Sequence, residues 1–248
     1  MYCSLIGGGS EVIMFNIPQA IRLTNLSRII YQVYTPMKKS LAEIGLQPKD
    51  YEYIEQKDTQ MLVIHNKETQ VIEIVFRGTK GIPDWITDIN CKIVHTQYGG
   101  VHAGVYTGYR AIEDDLLSIL SAYPNYKIDI TGHSLGFGLA TVCACSLMSF
   151  YEDNISSIYG IGGMKCLNRE GKEWYNKNLG AKTFRIEDND DIVTRLPINF
   201  QSIGERILSD DNKTWKDKMK NIFQFKFFRE EHDAGKYLEN LKRKQECF

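Results

Sequence analysis

Ser134 stands in a setting suited to covalent chemistry, at the centre of Gly132-His133-Ser134-Leu135-Gly136, a G-x-S-x-G pattern. Lys127–Thr131 before it reads as a strand, and the uncharged run from Ser134 to Tyr151 reads as a buried helix. A tight strand-to-helix turn forces its central residue into a strained backbone conformation. The positions two before and two after must then be small to let the chains pass. The serine hydroxyl is thereby held above the sheet edge, at a helix N-terminus whose partial positive charge favours a developing oxyanion. Such a serine does acyl transfer. A plainer account of the same residues, a glycine-flanked helix with Ser134 as its N-cap, leaves the preceding strand without a role.

A serine hydroxyl is a weak nucleophile until a base takes its proton and an acid orients that base. On a strand–serine–helix elbow the chain order is serine, acid, histidine. Of five histidines, His65, His95 and His102 precede Ser134, and His133, its neighbour, is expected to point elsewhere. His232 alone lies downstream and is the candidate base; the competing view is a surface histidine at a helix start. The acid is less determined. Asp188, Asp190 and Asp191 all follow a strand-like run, and by the residues alone each is within reach.

The elements that must position these groups alternate along the chain. Ile17–Tyr34 carries apolar residues at helical spacing, and Tyr51–Gln56, Met61–His65 and Val71–Phe76 are short β-rich runs, with Asn66-Lys67 in a hairpin loop between the last two. Pro83 is placed to open a short helix through Ile89. Ala103–Ser121 has Val105, Tyr109, Ile112, Leu116 and Ile119 on one helical face. Ile155–Ile161 and Lys182–Glu187 read as strands around a helix at Arg169–Asn178, and His232 precedes a helical tail. This alternation predicts one α/β domain over residues 1–248, with a mostly parallel sheet covered on both faces.

Four blocks in order resemble the class 3 lipases, the family of the fungal triacylglycerol lipases. Val75-Phe76-Arg77-Gly78-Thr79 is similar to its F-R-G-[ST] loop, with Asp84-Trp85 and Asp88 following at a familiar distance. Val101-His102-Ala103-Gly104-Val105 is similar to V-H-x-G-F, and Gly132 to Ala140 to G-H-S-L-G-x-x-L-A. Asp191-Ile192-Val193-Thr194-Arg195-Leu196-Pro197 is similar to D-[IP]-V-x-x-L-P. The match runs from about residue 62 to 197, with a weaker echo at His232 and Tyr237. Two departures stand out: Phe137 replaces a small residue, and Gly162-Gly163-Met164-Lys165 replaces G-[AS]-P-R.

The resemblance implies an α/β-hydrolase fold and a Ser134, Asp191, His232 triad. It implies an oxyanion hole from the backbone N–H groups of Leu135 and Thr79, with a contribution from the Thr79 hydroxyl; Thr79 as a mere turn residue is the competing view. Arg77, Asp84, Asp88 and His102 are expected to hydrogen-bond around that loop without taking part in the chemistry. Trp85 falls where the fungal enzymes carry a mobile lid, and a buried aromatic in a short helix is an equal alternative. The implied activity is a carboxylic-ester hydrolase, a lipase releasing fatty acids from glycerolipids. A silent lipase-like binding protein and an acyltransferase are the rival readings.

Composition narrows the classes further. A formal net charge of −1 argues against a nucleic-acid binder. The six cysteines match neither a zinc site nor a disulfide scaffold, and predict reduced thiols without a metal or other cofactor. The N-terminal stretch lacks a basic region and is interrupted by Glu11, so no secretory leader and a cytoplasmic location are expected. The uncharged run Ile130–Tyr151 is read as a strand end and buried helix, not as a membrane span. Between Asp211 and Arg229, lysines interleave with Trp215, Phe223, Phe225, Phe227 and Phe228, which suggests peripheral contact with an anionic lipid surface; a half-buried strand explains the same alternation.

Overall fold

The computed structural model describes residues 13–79, 92–209 and 232–246. The expectations for the Pro83–Ile89 helix, Trp85, Asp84, Asp88 and the 211–229 lipid contact lie outside the described residues. Helix α1, Ile17–Ile29, starts where the Asn16 side chain accepts from the Gln19 N–H and Pro18 occupies the first turn. It ends five residues short of the expected Tyr34, because the chain turns at Ile30 and re-enters a second helix, α2, Tyr34–Glu43.

Strands β1 (Tyr51–Gln56), β2 (Thr59–Asn66) and β3 (Val71–Phe76) form an antiparallel meander. A small antiparallel hairpin, β4 (Ile93–Thr96) and β5 (Gly99–His102), lies apart from the main sheet. The expected single helix Ala103–Ser121 is two, α3 (Ala103–Arg110) and α4 (Glu113–Ser121). The break carries a charge signature: Arg110 closes the last turn of one helix, and Glu113, Asp114 and Asp115 fill the first turn of the next. Both placements suit the helix dipole.

The rest of the chain alternates strand and helix: β6 (Lys127–His133), α5 (Leu135–Tyr151), β7 (Ile155–Ile161), α6 (Arg169–Asn178), β8 (Thr183–Glu187), β9 (Glu205–Leu208) and α7 (Ala234–Glu246). The main sheet runs β1-β2-β3-β6-β7-β8-β9, parallel from β3 onward. It is the mostly parallel, helix-covered sheet of an α/β-hydrolase fold.

Alternation along the strands feeds both faces. Met61 and Val63 of β2 point into one core with Ile72, Ile74 and Phe76, while Leu62 and Ile64 point into the other with Val75. The first core is capped by α3, α4, α5 and α6, the second by α1, α2 and α7. Helix α5 is buried along most of its length and supplies Val142, Cys143, Cys145 and Leu147 to the first core. Among the described residues, no helix is long and apolar enough to cross a membrane. Parallel strands end at one sheet edge, and Phe76, His133, Ile161 and Glu187 all end there. The registers Phe76↔Gly132, His133↔Ile161 and Ile161↔Ile186 keep those ends level. Open α/β sheets bind ligands at that edge.

Candidate active site

Ser134 sits at the sharp turn between β6 and α5 with φ 61° and ψ −127°, a conformation that is rare for a residue with a side chain. Strain of this kind, about 1–3 kcal/mol, persists only where its surroundings over-determine it. They do so here. The Ser134 N–H donates to the Ile161 carbonyl at 3.0 Å, and the Ser134 carbonyl accepts from Phe137 at 3.1 Å. A Cβ at Gly132 would overlap the Gly136 backbone, and one at Gly136 would overlap the Phe76 carbonyl. Both glycines of the pattern are therefore required by close backbone approach.

The candidate acid and base meet beside this turn. His232 Nδ1 lies 2.7 Å from Asp191 Oδ2, and both side chains are almost wholly enclosed, at 0% and 1% exposure. Asp191 is otherwise well held: its Oδ1 accepts the Val193 N–H at 2.9 Å and its Oδ2 accepts the Tyr237 hydroxyl at 2.7 Å. Burial, and then the negative charge of Asp191, push the Tyr237 phenol well above its usual range, so it remains a donor. The other two candidate acids have different surroundings. Asp188 accepts the Asp190 N–H and lies 3.8 Å from the Lys236 ammonium, while Asp190 is half-buried. Room for the Asp191 carboxylate comes from Gly162, at φ +51°, where a Cβ would come within 2.9 Å of both Asp191 Oδ2 and the Tyr237 ring.

Among the described residues, Ser134 Oγ and His232 Nε2 are buried and have no hydrogen-bond partner. These are the two atoms between which a proton must pass for the serine to attack. In unliganded sites such contacts commonly tighten only when substrate arrives.

Thr79 and Leu135 line one cavity of about 740 Å³, between the β1–β2 turn and α3, with Val105 and Leu139 as apolar walls. That volume is within the usual range of small-molecule sites, roughly 300–1,000 Å³. His102 caps α3 by accepting the Val105 N–H at 3.4 Å, and the Arg77 guanidinium lies over the Tyr31 ring. Neither arrangement directs a group at Ser134. Among the described residues, no cluster of His, Cys, Asp or Glu is placed to hold a metal. Cys143, Cys145 and Cys166 are buried thiols, and burial pushes Cys166 up to about 12.

The sequence profile of the family described as Lipase (class 3) matches residues 73–201, just over half of the chain. The chain belongs to the class 3 lipases. It is 30% identical to a lipase of Rhizomucor miehei over 168 residues, covering 62% of this chain and 46% of that protein. It is 32% identical to a lipase of Rhizopus niveus over 151 residues, covering 56% of this chain and 38% of that protein. The chain thus spans less than half the length of these relatives. Among solved structures, the native Rhizomucor miehei lipase propeptide complex superposes with a TM-score of 0.65 at 25% identity, covering 79% of this chain and 69% of that one.

The two departures from the class 3 lipase pattern explain each other. The Phe137 ring is 2% exposed and fills the space over Gly160 and Gly163, where a Cβ on either glycine would overlap it. A large residue after the elbow is accommodated by a second glycine after β7.

Three residues near the triad were not singled out in the sequence for a role there. Tyr237 is held between Asp191 and the Asp188 N–H, which donates to its hydroxyl at 3.0 Å. His133, set aside in the sequence as a base, contacts the base itself. Its ring packs on His232 with centroids 4.5 Å apart, and its Nε2 lies 2.7 Å from the His232 carbonyl. Tyr31, in the turn after α1, reaches His133 Nδ1 at 2.9 Å. The spacing of Tyr237 after His232 was the one available signal; Tyr31 lies 102 residues from its partner, and no local pattern marks it.

Proposed function

We propose that this protein is a serine carboxylic-ester hydrolase acting on glycerolipids through an acyl-enzyme on Ser134. The observation that carries the reading is the buried Asp191–His232 pair beside a strained, unpartnered Ser134 hydroxyl. Ser134 Oγ attacks the ester carbonyl while His232 Nε2 takes its proton, and Asp191 holds the ring by its Nδ1–H and stabilises the imidazolium. The tetrahedral oxyanion is received by the N–H groups of Leu135 and Thr79, residues that line the 740 Å³ cavity. The intermediate expels the alcohol, which takes the proton from His232. A water activated by the same base then releases the fatty acid and regenerates Ser134. No step calls for a metal or organic cofactor.

The lipid ester as substrate class is supported by family membership and by the lipases of Rhizomucor and Rhizopus that the chain resembles. Peripheral contact with an anionic lipid surface through residues 211–229 belongs to the same proposal and is supported by sequence alone. Sedimentation with anionic and neutral vesicles at low and high salt tests it. The main test is a panel of esters varied in chain length and head group, with Ser134→Ala as control. Hydrolysis lost in that control is expected. Turnover of no ester would favour a silent binding protein, and product carrying the acyl group on an added alcohol would favour an acyltransferase.

A further inference from the structure

Asp191 orients the His232 ring, but a hydrogen bond at Nδ1 does not by itself fix how far the ring stands from Ser134. A second set of contacts bears on that distance. The His232 carbonyl oxygen can only accept, so His133 Nε2 carries the proton in their 2.7 Å contact. His133 Nδ1 is then an acceptor, and the Tyr31 hydroxyl, 2.9 Å away, is its donor. The Tyr31 oxygen in turn lies against Gly78, where a Cβ would overlap both this oxygen and the His133 carbonyl. Every proton in this chain therefore has one direction. Tyr31 O–H points to His133 and His133 Nε2–H to His232, with Gly78 packed against the Tyr31 oxygen.

The ends of the chain matter. Gly78 immediately precedes Thr79, one of the two oxyanion donors, and His133 is joined to Ser134 by a single peptide bond. We propose that Tyr31 and His133 are positioning residues, which together set the backbone of His232 and the oxyanion loop relative to Ser134. The inference rests on the hydrolase reading above. It gives the turn after α1 a part in the reaction, although that segment lies outside the block of sequence matched to the family, residues 73–201. Neither residue touches the reacting atoms; both act through the position of His232 and Thr79.

The test combines kinetics with spectroscopy on the full chain. Tyr31→Phe, a mild change that keeps the ring, should lower kcat about tenfold, the scale of one lost hydrogen bond, with KM within about twofold. His133→Phe should lose about a hundredfold in kcat, as two bonds go. His133→Gln, whose amide supplies a donor and an acceptor like the imidazole, should return to within about fivefold of wild type. The Tyr31→Phe, His133→Phe double variant should be no slower than His133→Phe alone, since the residues form one chain. Independent losses, a KM effect without a kcat effect, or a His133→Gln no better than His133→Phe would overturn the role. Imidazole ¹⁵N resonances give a reading that needs no turnover: His133 should be the neutral Nε2–H tautomer, with Nδ1 shifted in Tyr31→Phe. A working hydrolase with the Nδ1–H tautomer would overturn the positioning role alone. A wild type with the expected resonances that hydrolyses no ester would overturn the hydrolase reading, and this role with it.

Discussion

Ser134 and His232 are held in place by different means. The serine is fixed by its own neighbourhood: glycines two positions either side, a carbonyl on the adjacent strand, and the start of α5. The histidine is fixed by groups remote in sequence, Asp191 at a separation of 41 and His133 at a separation of 99. The first arrangement stores strain in a short motif that must fold as a unit with the sheet. The second depends on α7 packing against α1, which brings the C-terminal segment to the sheet edge. Changes at the elbow should therefore cost stability. Changes around the histidine should cost rate while the fold survives.

The sharpest way to break that contrast is at the acid. Asp191→Asn is expected to lower kcat by about ten-thousandfold, because an amide favours the wrong imidazole tautomer. It should remain folded, at a cost of about 1–3 kcal/mol in unfolding free energy: the Asn oxygen still accepts from Val193, while the amide group in place of Oδ2 no longer accepts from Tyr237. Asp190→Asn should cost far less in rate. A larger loss in Asp190→Asn, measured by steady-state kinetics on the same ester, would mean that the acid has been misplaced.

The elbow side gives the next effect. Gly163→Ala inserts a methyl group against the Phe137 ring and should destabilise by about 1–3 kcal/mol in denaturant unfolding. In a Phe137→Ala background the same substitution should cost much less, a coupling that a double-mutant cycle reads directly. Additive losses would show that the two departures from the family pattern are unrelated.

The smallest effect concerns protons. Burial first, and then the neighbouring His232, hold His133 well below the usual histidine value of 6.5. Tyr31, Tyr237 and His232 surround the ring, and Arg77 lies over Tyr31. With its folded value depressed, His133 contributes stability that is fully present above about pH 6.5 and is lost as pH falls below it. His133→Gln should therefore lose less stability than wild type between pH 6.5 and 5, by up to about 1.4 kcal/mol per pH unit. His102, lowered by burial, and Asp129, raised mainly by burial, remain in both proteins, so the difference isolates His133. Parallel stability curves would contradict a neutral, buried His133.

The same contrast explains what the sequence made legible. Local patterns were read well: β7 and α6 have the expected bounds, and the elbow lies between β6 and α5. The family pattern pointed to Asp191 where the residues alone left three candidates, and the geometry places that carboxylate against His232. The α3–α4 break was hidden by an apolar stripe continuous through Ile112, although the charges flanking it marked two helix ends. Helix α2 was missed despite Pro36 in its first turn. Tyr31 and His133 were missed for a different reason. Their roles depend on which segments the sheet brings together, and periodicity carries no record of that.

The central claim is that Ser134 is the residue that becomes acylated, and a fluorophosphonate probe tests it most directly. Intact-mass analysis of the labelled protein should show one adduct, and peptide mapping should place it on Ser134. Ser134→Ala should take up none, and Asp191→Asn should label more slowly than wild type. Undiminished labelling of Ser134→Ala, or an adduct mapped to any other residue, would contradict the account.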